Sequence, residues 1–212
     1  MNKMAKDVKE PKKDAAATTK AAQPKTKRKS VDKWKKKSWY TLVAPTEFES
    51  KELGQTVAEK PELLVSRVVT ITAGEIANQP KKGHIHLRFK VVNINANKAH
   101  TQAVGHSIKD SYMKRVVRRR CSKIMLVKDY LSKDKKSFKV KTIVVTERKA
   151  SNRQKADLQK KTEEIVAKFI AETDSKKIVE QLVFGNLPNR IYPDIKKIVP
   201  IKRIEIVNSA LL

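Results

Sequence analysis

Residues 84–91 read His84-Ile85-His86-Leu87-Arg88-Phe89-Lys90-Val91. Apolar and basic side chains alternate without a break, which is the period of a β-strand with one face on a core. The spacing predicts Ile85, Leu87, Phe89 and Val91 inside. His84, His86, Arg88 and Lys90 then form an outer face that is almost wholly basic. Working outward, similar apolar and β-branched runs predict strands over 39–43, 67–72, 101–108, 123–131 and 137–147. The polar stretch 132–136 between the last two has hairpin length. Residues 110–119 read as a short helix capped by Asp110 or Ser111, with Met113, Val116 and Val117 on one stripe.

After Arg148 the period changes. Residues 152–173 predict a helix with Leu158, Ile165, Val166, Phe169 and Ile170 as its apolar stripe. A second helix opens at Asp174 or Ser175, uses Ile178, Val179, Leu182 and Val183, and is ended by Gly185 and Pro188. A third lies around 192–198, and 201–207 predicts a closing strand. Strands followed by helices make the class α+β: a barrel or sandwich-like sheet body with C-terminal helices. No internal repeat is present.

The chain has 212 residues and 49 Lys+Arg against 22 Asp+Glu, a formal charge of +27. Such an excess calls for a polyanionic partner, because each cation that meets a phosphate releases condensed counterions. No apolar run reaches the ~18 residues of a membrane span, and no amphipathic helix with bulky anchors suggests a membrane surface. The lysine-rich start is not a secretory signal, and one cysteine, Cys121, fits a reducing compartment. Gly54, Gly74, Gly83, Gly105 and Gly185 are too scattered for a phosphate-cradling or dinucleotide loop.

Three basic clusters carry the charge. Residues 1–37 hold 14 Lys+Arg and 4 Asp+Glu with few apolar side chains, so this tail is expected to be disordered until it binds RNA. Its candidates are Lys25, Lys27, Arg28, Lys29, Lys33, Lys35, Lys36 and Lys37, threading among phosphates. Trp34 lies among them with Trp39 and Tyr40 after it: one aromatic is expected to stack on a base and two to anchor the tail. The domain proper is expected over 38–212. The second cluster is Lys114, Arg115, Arg118, Arg119, Arg120 and Lys123. On a helix, 114/118 and 115/119 sit one turn apart, so four like charges share a face and an RNA phosphate would relieve them. The third is Arg148, Lys149, Arg153 and Lys155, with His84, Arg88 and Lys90 as a secondary face.

Catalysis has no such footing. His84, His86, His100, His106 and Cys121 lack any metal-binding spacing, so no metal and no cofactor is expected. Cys121 follows three arginines, but no base or oxyanion motif accompanies it. A nuclease would need a carboxylate or histidine cluster, and none is evident.

These residues also carry a resemblance. Asp32-Lys33-Trp34-Lys35-Lys36-Lys37-Ser38-Trp39-Tyr40, closing on Ala44-Pro45, resembles the opening of the small-subunit ribosomal proteins of the S-three-A-e family (e-S-one in newer naming). Gly54-Gln55-Thr56, Arg67-Val68, Gly83-His84-Ile85-His86-Leu87 and Val104-Gly105-His106 continue it, in a form similar to the archaeal members. So do the run from Tyr112 to Lys123 and Pro200-Ile201-Lys202-Arg203-Ile204-Glu205-Ile206. The likeness covers about residues 30–208. Ser66 stands where the family commonly has glycine, and Cys121 where it commonly has a basic residue. The resemblance implies a structural constituent of the small ribosomal subunit without catalytic activity. It implies a place on the platform, near the rRNA 3′ end and the mRNA exit. The partners it implies are rRNA, neighbouring platform proteins, mRNA near the exit and initiation factors, with no membrane and no homo-oligomer. The location it implies is the cytoplasm, with a nucleolar stage in a eukaryotic host. The alternative reading is a free RNA-binding or chromatin-like factor.

Overall fold

The computed structural model describes residues 33–185 and 187–212, so the candidates Lys25, Lys27, Arg28 and Lys29 lie outside the described residues. Its central element is β5, Lys98–Ile108. β4, Ile85–Asn95, pairs antiparallel along one side of it, and β3, Val68–Thr72, adds beyond β4. The other side of β5 is shared. Its start pairs in parallel with β1, Ser38–Val43, and its end pairs antiparallel with β8, Ile201–Leu211. The eight-stranded sheet therefore forks. One branch continues to β2, Glu52–Ala58, and the other through β7, Ser137–Thr146, to β6, Lys123–Leu131.

Close approach holds the fork. β8 comes in against Gly105, where a Cβ would overlap the Ser209 carbonyl oxygen. From β4, Arg88 reaches across to β8 and donates Nη2 to Asn208 Oδ1 (2.9 Å) and Ser209 O (2.8 Å). His106, 1% exposed, completes the join. Its Nε2 lies 2.7 Å from the Ile206 carbonyl, an acceptor only, so Nε2 carries the proton and Nδ1 accepts from Ser209 Oγ at 2.6 Å. Burial, the dominant cause, pushes the imidazole down to about 4.

The alternation over 84–91 is met on its inner side, where Ile85, Leu87, Phe89 and Val91 are buried. The outer side differs from the sequence expectation. Only Lys90 is exposed, while His84, His86 and Arg88 are half-buried, because Tyr112 and the end of β8 cover that face.

The helices follow the period-3.6 reading more closely. α1, Ala73–Ile76, is a single turn, and α2, Asp110–Val116, starts after Lys109 rather than on an Asp110 or Ser111 cap. α3, Asn152–Glu172, opens with a reciprocal cap: Ser151 Oγ accepts from Gln154 N–H, and Gln154 Oε1 accepts from Ser151 N–H. It buries Leu158, Thr162, Val166 and Ile170 on the sheet, with Ile165 and Phe169 on the flanks. α4, Ser175–Phe184, is capped from outside its own segment. Asp134 in the β6–β7 loop accepts from both the N–H and the hydroxyl of Ser175, at 2.9 and 2.7 Å, and these two bonds hold its carboxyl below the usual range. Pro188 does not end α4. It lies in the first turn of α5, Leu187–Lys196, where a missing N–H costs little. α3, α4 and α5 cover the larger core, and a smaller one of Tyr40, Leu42, Ala58, Leu64, Val91 and Ala99 lies under the β1–β2 branch.

Candidate nucleic-acid interface

The arginine run leaves the helix earlier than its spacing predicts. α2 ends at Val116, and Val117 returns to extended backbone (φ −84°, ψ 117°). Two adjacent β-branched residues and four unrelieved cations favour that break. Lys202 Nζ donates to the freed Val116 carbonyl at 3.2 Å. Arg118, Arg119 and Arg120 then form a turn, closed by Cys121 N–H donating to Arg118 O, rather than a helical face. Arg120 holds φ 68°, a left-handed conformation that costs a non-glycine residue roughly 1 kcal/mol. The turn spreads the three guanidinium groups into solvent.

Ser122 ties this turn to the third cluster. Its N–H donates to Thr146 Oγ1, its Oγ accepts from Ala150 N–H, and Thr146 Oγ1 also meets the Arg148 carbonyl. Lys123, Val145 and Arg203 are register partners across β6, β7 and β8. One end of the sheet therefore gathers Lys114, Arg115, Arg118, Arg119, Arg120, Lys123, Arg148 and Lys149 with Lys202 and Arg203, all exposed. The sequence pattern of 201–207 indicates a strand and carries no signal that brings the last two to this end. Arg115, Arg118, Arg119, Arg120, Arg148 and Lys149 make no ion pair and no side-chain hydrogen bond with another described residue. Arg153 is exposed on the first turn of α3, and Lys155 reaches Asn152 Oδ1 at 3.4 Å.

Tyr112 is the aromatic centre of this end. Its ring stacks on His84 with centroids 3.9 Å apart and planes 17° from parallel. Its hydroxyl donates to Glu205 Oε1 (3.0 Å), which also accepts from Arg203 Nε at 2.8 Å. Burial first, then the Glu205 charge, pushes the phenol up to about 12, while burial holds the His84 imidazole below its ordinary value. A cleft of about 480 Å³ opens beside the ring, lined by Tyr112, Arg115, Val116, Arg118, Lys202 and Arg203. A second of about 360 Å³ lies among Asp110, Met113, Lys114, Val117 and Lys123.

Other candidates are not brought here. Arg88 is committed to the sheet join, and Lys90 stands exposed beside β3. Lys35, Lys36 and Lys37 precede β1, which lines up with the start of β5; α2 follows the end of β5, about 33 Å away at strand rise. Lys33 belongs to the same short 3-10 turn, Lys33–Lys36. The expectation that two of three aromatics anchor the tail is corrected: Tyr40 alone is buried, while Trp34 and Trp39 are 61% and 60% exposed. Lys37 Nζ lies 4.6 Å from the Trp34 ring. Among the described residues no His/Cys/Asp/Glu group could hold a metal ion, and no helix is long and apolar enough to cross a membrane.

Comparison with known proteins adds a family. The model of the Ribosomal S3Ae family matches residues 25–212. The small ribosomal subunit protein eS1 of Methanobrevibacter smithii is 34% identical over 191 residues, covering 90% of this chain and 99% of that protein. Its counterparts in Methanococcus maripaludis and Methanocaldococcus jannaschii are 36% and 35% identical, each over 92% of this chain and 88% and 89% of their own lengths.

Proposed function

The chain belongs to the ribosomal S3Ae family, and on that premise we propose that it is a structural, non-catalytic constituent of the small ribosomal subunit. The basic end of the sheet holds rRNA there. The observation that carries this reading is the set of exposed cations without a protein counter-charge around Arg118, Arg119 and Arg120. An arginine accepts left-handed backbone in that turn, where glycine would be less strained. Strain kept at such a position supports a need for the side chain. The basic tail, residues 1–37, threads among phosphates as a second, sequence-independent contact. The platform near the rRNA 3′ end and mRNA exit is the position that the family resemblance supports. Neighbouring platform proteins, mRNA and initiation factors are the partners it adds, in the cytoplasm.

The test is incorporation. Cells expressing a tagged Arg118→Ala, Arg119→Ala, Arg120→Ala variant are profiled on sucrose gradients, with and without a high-salt wash. The wild type should co-sediment with small subunits through the wash, and the variant should be depleted from that peak. With purified proteins, each lost phosphate contact should lower the slope of log affinity against log salt by about 0.7–0.9. Wild-type incorporation and slope in the triple variant would refute the assignment. Absence of the wild type from small subunits would favour the free RNA-binding factor.

A further inference from the structure

We propose that the cleft beside Tyr112 receives one unstacked nucleotide of a single-stranded RNA segment. Its base lies on the tyrosine ring and its phosphate among Arg118, Lys202 and Arg203. The proposal rests on the basic end being an RNA interface, and it says what form of RNA that end selects.

The ring is held in place before any ligand arrives. His84 supports one face at 3.9 Å, and Glu205 takes the hydroxyl. The Arg203 and Arg115 guanidinium groups stand over the ring, 5.7 and 5.9 Å from its centroid, in cation–π range, and turn outward to the phosphate as the base takes their place. A fixed aromatic loses little conformational freedom on binding. Burial keeps His84 below its ordinary pKa, so at neutral pH it backs the ring as an uncharged aromatic.

The cleft itself fits a nucleotide better than a bare phosphate or a duplex. Its volume of about 480 Å³ lies within the roughly 300–1,000 Å³ of small-molecule sites. Four of its six lining side chains are cationic, and the other two are Tyr112 and the apolar Val116. Phosphate contacts alone need no oriented ring. An A-form duplex keeps its bases stacked, so it offers only its sugar–phosphate surface and minor groove. Unpaired bases, by contrast, stack on protein aromatics, each contributing about 1–3 kcal/mol.

The experiment uses the full-length protein with a short fluorescent oligouridine, an RNA duplex of equal phosphate count, and polyglutamate. Tyr112→Leu should weaken oligouridine binding about 5- to 100-fold, leave duplex binding and both salt slopes unchanged, and be rescued in Tyr112→Trp. Equal binding of oligouridine by wild type and Tyr112→Leu would overturn the proposal. The RNA interface would still stand if the Arg118, Arg119 and Arg120 alanine variant lost both RNAs. If that variant lost neither, the underlying reading would fall with it. Tyr112-dependent binding of polyglutamate as tight as oligouridine would overturn the proposal in favour of an acidic peptide. If Tyr112→Leu does not fold, ultraviolet cross-linking of oligouridine to the wild type decides. A cross-link mapped to Tyr112 supports the proposal, and cross-links only elsewhere overturn it.

Discussion

Replacing His106 by glutamine should flatten the acid dependence of stability more than any other single change. The folded imidazole titrates at about 4 against an ordinary 6.5. At about 1.4 kcal/mol per tenfold this difference corresponds to about 3 kcal/mol. The sign follows from the depressed value. Above 6.5 the ring is neutral in both folded and unfolded chains, and its contribution is whole. Between 6.5 and 4 the unfolded chain binds a proton that the folded one refuses, so stability falls with pH; below 4 the loss is complete. Burial is the main cause of the refusal, since a charged ring would lose its hydration; a proton on Nδ1 would also face Ser209 Oγ as a second donor beside the His106 N–H, which already donates there at 3.1 Å. The assay is urea unfolding of wild type and His106→Gln from neutral pH to 4 at fixed salt, with the His106 ring followed by NMR. Titrations common to both proteins cancel in the difference. The wild type should lose about 3 kcal/mol more than the variant across the window. Parallel losses, or a His106 ring titrating near 6.5, would refute the buried neutral tautomer.

Gly105→Ala should separate β5 from β8 and lower stability by about 1–3 kcal/mol, read from the urea midpoint. Arg88→Met should cost about 2 kcal/mol, through the acceptors on Asn208 and Ser209 it leaves behind, with an unchanged salt slope for RNA binding. A reduced slope would return Arg88 to the interface. Ser66 sits at φ 70°, so Ser66→Gly should stabilise the fold by about 0.5–1 kcal/mol in thermal unfolding.

Arg88 and Lys90 show where sequence reading stops. Both occupy the basic phase of one alternation, yet one bridges strands and the other meets solvent. The difference is made by Gly105 opposite Arg88 and by Asn208 and Ser209, more than a hundred positions along the chain. Periodicity located β4 and α3 because each presents one continuous face to the core. It missed β2, whose Glu52, Gly54 and Gln55 are exposed on a strand that, among the described residues, pairs only with β1. The arginine cluster was legible as charge but not as shape. Spacing alone extends its helix past Val116, whereas Lys202, far along the chain, caps the end. Lys202 and Arg203 entered the site only through strand register.

The fork also orders events in time. β1 to β5 can pair among themselves, and β6 with β7 forms a local hairpin, but β8 is the element that joins these halves. It is the last strand in chain order, so during synthesis the first half waits while residues 109–200 are made. The gathered cations wait as well, since Lys202 and Arg203 arrive with β8. An unfinished chain can carry its basic tail but not the assembled end. RNA retention through that end would thus depend on the docking of β8, and select molecules in which the two halves have been joined.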